Sequence, residues 1–164
     1  MTVRKPGVYI LLLILMAGLF ACGKKDTVWT RSFDFRGNTW HRDNHLQIVP
    51  DTLAIDSVEA ESVLLTLRYA ASATKQVFPI VVEIESPSDG YYRCDTIRET
   101  LLPSEERTGD NSAYGIFEKT DTLRLERAPK PGWKMEISQA SADEEIHGIF
   151  SMTVSLIGKK LDIR

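Results

Sequence analysis

His41, Asp43 and His45 occupy alternate positions of the segment WHRDNH, and imidazole, carboxylate and imidazole are ligand types that zinc and similar metals accept. In an extended strand, residues two apart share a face, so the three side chains could converge. The segment follows the turn signal Gly37-Asn38 and includes Asn44, so at least part of it is expected to turn. A metal also needs a third or fourth ligand and groups that orient them, and His147, the remaining histidine, is far along the chain. The segment therefore reads as a solvated turn anchored by a buried Trp40, with a metal site at His41, Asp43 and His45 as the competing reading.

Other residues with reactive side chains stand without companions. Asp143, Glu144 and Glu145 are adjacent acids in a polar segment, the composition of a solvated face rather than of an acid–base pair. Cys94 lies in the strand-like run YYRCDTI with no histidine or cysteine nearby, and is expected to be a small buried hydrophobe rather than a nucleophile. The chain has no G-x-S-x-G, no P-loop and no G-x-G-x-x-G. No nucleophile, base and orienting group can be named together, so neither an enzyme nor a cofactor is expected. Basic residues are scattered among acids and the net charge is −3, which excludes the basic stripe of a nucleic-acid-binding domain.

Cys22 is the residue with the clearest chemistry. It follows an apolar run from Val8 to Ala21 that is shorter than the roughly 20 residues a helix needs to cross a hydrocarbon core. Arg4 and Lys5 form a positive leader, Ile10 to Met16 an apolar centre, and Ala17, Gly18 and Ala21 supply small residues near the end, the layout of a secretory signal. Leu19-Phe20-Ala21-Cys22 resembles the bacterial lipobox, in which cleavage precedes the cysteine and its sulfur carries a diacylglycerol. Acyl chains hold a protein on a bilayer at ~0.8 kcal/mol per buried CH₂, so a multiply acylated Cys22 needs no spanning helix. The expected organisation is a lipoprotein signal peptide over residues 1–21, a lipid-anchored tether over 22–27 and one domain over 28–164. Removing the leader takes away Arg4 and Lys5 and makes the chain more acidic. With Cys22 acylated, Cys94 is the only thiol left and no internal disulfide forms. Lys24 and Lys25 precede the first acid after the cysteine, Asp26, and no acidic export run is present. The outer membrane with the domain facing the periplasm is the expected location, and the inner membrane is the alternative.

The elements that must position these residues are strands. Val63, Leu65, Leu67 and Tyr69 alternate with Leu64, Thr66 and Arg68, and the same period of two runs through Trp133 to Ile137 and Phe150 to Leu156. Further strands are expected at Val28 to Phe35, His45 to Val49, Val77 to Glu85, Tyr91 to Ile97, Thr122 to Glu126 and Tyr114 to Phe117. Pro79 implies a strand start, an edge or a bulge, because proline cannot donate to the ladder. Turns are expected at Pro87 to Gly90 and Pro129 to Gly132, and an exposed loop at Pro103 to Asn111. The one helix candidate is Ser141 to Glu145, with Ser141 as N-cap, Glu144 as its partner and Gly148 as the stop. Eight or nine short strands imply an all-β fold, a single antiparallel β-sandwich of jelly-roll or Ig-like type, with a partly closed barrel as the runner-up.

Trp29, Trp40, Trp133, Tyr91 and Tyr92 are the candidates for an exposed aromatic platform. Trp133 alternates with Met135 and Ile137 and is assigned to the core, and Tyr91 and Tyr92 must face opposite ways in a strand. The lipobox, Trp40-His41-Arg42-Asp43, Leu65-Thr66-Leu67-Arg68, Asp95-Thr96, Gly132-Trp133-Lys134-Met135-Glu136-Ile137, Gln139-Ala140 and Ile146-His147-Gly148-Ile149, in that order and spacing, resemble the gliding-motility lipoprotein GldH family of Bacteroidetes. The family's glycine-rich middle is reduced here to Gly109 and Tyr114-Gly115. The resemblance implies a non-enzymatic, membrane-anchored accessory component of gliding motility or type IX secretion whose partners are other cell-envelope proteins. The alternative is a periplasmic glycan- or ligand-binding lipoprotein. No small-molecule substrate and no nucleic acid is identified.

Overall fold

The computed structural model describes residues 26–49, 58–71, 73, 77–101, 115–128, 130 and 132–160; Cys22 and the signal segment lie outside the described residues. Within them the chain forms ten strands: β1 Asp26–Asp34, β2 Thr39–His41, β3 Leu46–Ile48, β4 Val58–Ala70, β5 Val77–Ser86, β6 Tyr91–Thr100, β7 Ile116–Arg124, β8 Lys134–Gln139, β9 Glu145–His147 and β10 Ile149–Lys160. No helix among the described residues is long and apolar enough to cross a membrane.

Strand pairing follows one rule. β5 pairs with β6 across the turn Pro87 to Gly90, and then β4 pairs with β7, β3 with β8, β2 with β9 and β1 with β10, all antiparallel. The chain is thus one long hairpin folded at Gly90, whose positive φ of 65° suits a residue without a side chain. Wrapping that hairpin around itself sets β10 beside β4 and β8 beside β5. The products are two four-stranded sheets, β1-β10-β4-β7 and β3-β8-β5-β6, and the short β2-β9 ribbon. This is the jelly-roll form of the antiparallel β-sandwich, so the expected sandwich forms and the jelly-roll alternative is the one adopted.

Alternation builds the core. Val63, Leu65, Leu67 and Tyr69 of β4 and Met152, Val154 and Leu156 of β10 face Phe78, Ile80, Val82 and Ile84 of β5 and Met135 and Ile137 of β8, all buried. Each such side chain contributes roughly 1.5–3 kcal/mol when removed from water. Trp40 is fully buried, stacked on Phe35 at 5.0 Å between ring centroids and edge-on to Phe78 at 6.3 Å. Its indole N–H donates to the Asn44 carbonyl at 3.0 Å, which satisfies the ring's polar atom and anchors the turn after β2. Trp133 is buried as well.

Several local expectations are corrected. Ser141 to Glu145 is not a helix: the Asp143 N–H donates to Ser141 Oγ at 3.2 Å, a local two-residue turn, and Glu145 already belongs to β9. The Glu144 carbonyl accepts from the Arg42 N–H at 2.8 Å, so its backbone serves the ribbon and not a helical turn. The two strand predictions around Phe117 and Leu123 are the ends of one strand, β7. Cys94 is exposed, because the buried side of β6 is the one that carries Tyr91, Arg93, Asp95, Ile97 and Glu99. Pro79 lies inside β5, which begins at Val77. Its carbonyl accepts from Ala140 at 2.8 Å, just past the last residue of β8, so the missing donor falls where that ladder ends.

Candidate interaction face

The outer face of the β3-β8-β5-β6 sheet differs from the rest of the surface. Val49, Val77 and Tyr92 are the large hydrophobic side chains exposed among the described residues, at 57%, 63% and 62%. The period of two puts all three on this face: Val77 on β5, Tyr92 on β6, and Val49 directly after β3 in step with Gln47. Half-buried Pro79 and Val81 continue it along β5. Val49 and Tyr92 line one groove of this face, whereas Val77 stands alone at the far end of β5, opposite Thr100; exposed apolar side chains scattered singly are ordinary, and two that share a groove are less so.

Polar groups surround the apolar ones. Cross-strand register puts Glu85 between Lys134 and Tyr92, and Glu83 between Glu136 and Cys94. The Tyr92 hydroxyl donates to Glu83 Oε1 at 2.7 Å, which lays the ring along the sheet and raises the phenol to about 12, chiefly because the bond to the carboxylate favours its protonated form. Lys134 Nζ reaches Glu85 at 3.3 Å, and His45 Nδ1 meets Glu136 Oε1 at 2.7 Å. Tyr92 and Val49 thus flank a groove of about 240 Å³ lined by Gln47, Glu83, Glu85, Lys134 and Glu136.

The histidines predicted as a possible metal set are separated. His45 turns to β8, whereas His41 Nδ1 lies 3.3 Å from Glu145 Oε1 across the β2-β9 ribbon, and Asp43 is exposed in the intervening turn. Among the described residues, no group of three or more His, Cys, Asp or Glu side chains could hold a metal ion. The ribbon instead brings His147, distant in sequence, to the other oxygen of Glu145 at 3.5 Å, and His147 Nδ1 to Thr39 Oγ1 at 3.1 Å. Sequence alone missed this neighbour because the pairing of β2 with β9 is not local.

A second polar cluster lies between the sheets where β6 faces β7. Lys119 Nζ is 2.5 Å from Glu99 Oε2, and the Arg93 guanidinium binds Asp95 and donates to the Arg124 carbonyl at 2.8 Å. Glu99 is 3% exposed. Burial first, then its hydrogen bond to Asp121, raise its carboxyl to about 7, while Lys119 opposes the shift. These groups tie the sheets together by charge at a position where the rest of the sandwich uses apolar contact.

Of the five aromatic platform candidates, Trp40 and Trp133 are core, Trp29 packs against the core half-buried, and Tyr91 turns inward under the Arg127 guanidinium at 5.3 Å. Tyr92 alone stands exposed. Its glutamate neighbours went unremarked in the sequence, although the run PIVVEIE carries their signal: Glu83 and Glu85 are in step with Pro79 and Val81, opposite the buried Ile80, Val82 and Ile84.

No protein-family model matches the chain, and no curated protein matches it. Among solved structures it is similar to a carbohydrate-binding module, CBM28, described as specific for non-crystalline cellulose. The identity is 15%, the match covers 80% of this chain and 72% of that one, and the TM-score is 0.43. A likeness of this degree carries no argument about function.

Proposed function

We propose that the protein is a lipid-anchored, non-enzymatic module of the cell envelope whose sandwich docks on another envelope protein through the outer face of the β3-β8-β5-β6 sheet. The observation that carries this reading is the pair of exposed side chains, Val49 and Tyr92, that lines one groove of that face. The anchor is the diacylglycerol on Cys22 that the lipobox-like Leu19 to Cys22 calls for, on the outer membrane with the sandwich toward the periplasm. β1 includes Asp26, so an acylated Cys22 tethers the sandwich by a few residues and holds it within roughly 14 Å of its attachment point. The resemblance to the gliding-motility lipoproteins supports an accessory role in gliding motility or type IX secretion. Glycan binding is the second reading, and the exposed Tyr92 ring beside carboxylates is the observation that favours it.

Capture from membranes with the native lipidated protein, against a Cys22→Ala control, tests the proposal when read by mass spectrometry and glycan analysis. Secretion or gliding components enriched only with the lipidated form support it. Recovery of cell-wall glycan alone by both forms replaces it with the second reading.

A further inference from the structure

We infer that the partner presents to this groove an extended segment with basic residues at alternate positions. The inference rests on the docking reading above and adds the chemistry of the partner.

Charge points first. Glu83, Glu85 and Glu136 share the groove with one lysine, Lys134, and with His45 at its edge, so carboxylates outnumber the fixed cation within it. Each carboxylate spends only part of its acceptor capacity on its neighbour, since an ionised carboxylate offers about four lone-pair sites. The ring of Tyr92 adds the second element. Held along the sheet by its bond to Glu83 and 62% exposed, it offers a face on which a guanidinium or ammonium can rest. Glu85 is its cross-strand partner, so a cation over the ring lies beside a carboxylate.

Spacing selects an extended ligand. Glu83 and Glu85 sit two apart on one strand and therefore about 6.8 Å apart along it. Basic side chains two apart on an extended segment lying along β5 have the same repeat, so both cations meet a carboxylate. Basic residues three apart point to opposite sides, so only one of the two cations then reaches a carboxylate. Val49 and Tyr92 flank the path and offer apolar surface to either side of it.

The test uses the full lipidated chain in detergent micelles and three blocked peptides of equal length, read by isothermal titration. One carries two arginines two apart in a threonine background, one carries the two arginines three apart, and one carries two glutamates two apart; a cellulose and a chitin oligosaccharide are run beside them. The peptide with arginines two apart is expected to bind, more weakly as salt is added, and about threefold more tightly than the one with arginines three apart. A Glu83→Gln/Glu85→Gln variant is expected to lose about tenfold and most of the salt dependence, and Tyr92→Ala a smaller factor of about three. Equal binding of both arginine peptides, no peptide binding, or binding untouched by the glutamate substitutions overturns the inference, as does binding of an oligosaccharide in place of the peptides. If membrane capture recovers a protein partner that the Glu83→Gln/Glu85→Gln variant still holds, the basic segment is wrong while docking stands. If capture recovers no protein at all, the docking reading fails beneath it.

Discussion

Across the outer face of the β1-β10-β4-β7 sheet, Ser32, Thr153, Thr66 and Thr120 form a row over all four strands. Ser32 bonds Thr153 at 2.8 Å and Thr66 bonds Thr120 at 2.9 Å, with a parallel pair of Thr30 and Ser155 at 2.9 Å. The outer face of the β3-β8-β5-β6 sheet carries Val49 and Tyr92 among glutamates instead. Both sheets arise from one wrapped hairpin and share one core, so the fold does not require the difference. Hydroxyls bonded to one another make a face that is complete in water, whereas exposed apolar side chains beside carboxylates gain from a partner. On the proposed reading the first face is structural and the second is the contact.

The largest effect is expected beneath the contact face. Ile84→Ala removes a fully buried side chain between Glu83 and Glu85 and should cost about 3 kcal/mol in denaturant unfolding, taking the groove with it. A loss below about 1 kcal/mol would mean that the face does not rest on this part of the core.

Next comes the charged tie between β6 and β7. A carboxyl raised from 4.5 to about 7 by folding binds its proton more tightly in the folded state. Stability from this group is therefore complete below pH 4.5 and declines as pH rises through about 7. After a discount for solvent screening, the decline is on the order of 1–2 kcal/mol. Glu99→Gln should flatten the melting temperature over that window and leave partner capture unchanged. A variant whose profile still matches the parent would place the titration elsewhere.

Much of the fold was legible in the sequence wherever the two sides of a strand differ sharply. β4, β8 and β10 announce themselves because Leu, Ile, Val and Met alternate with polar residues. β7 was read as two pieces because its centre, Glu118 to Asp121, is polar on both sides; Lys119 and Asp121 face inward and are tolerated there by Glu99. The same inward charges explain Cys94. A rule that buries the less polar side chain turns β6 the wrong way, since the ionic tie fixes Arg93, Asp95 and Glu99 inside and sends Tyr92 and Cys94 out. The adjacency of Tyr91 and Tyr92 said that one must face solvent; only the register said which, and only the register set Glu85 beside it.

Smaller effects sharpen the contrast between the faces. Tyr92→Phe removes the bond to Glu83 and should leave the melting temperature nearly unchanged, while the tyrosine that ionises near 12 disappears from an ultraviolet titration. Retention of that titration step would assign it to another tyrosine. Thr66→Val, which breaks one hydroxyl pair of the other sheet, should shift stability by no more than about 0.5 kcal/mol and leave partner capture intact.

The measurement that bears most directly on the contact face is membrane capture with Val49→Lys and Tyr92→Lys set against Thr66→Lys, each variant first shown to melt as the parent does. Loss of the envelope partner by about tenfold in the first two, with full retention in the third, is the predicted result. Retention in the first two together with loss in the third would move the contact to the hydroxyl face and contradict the account.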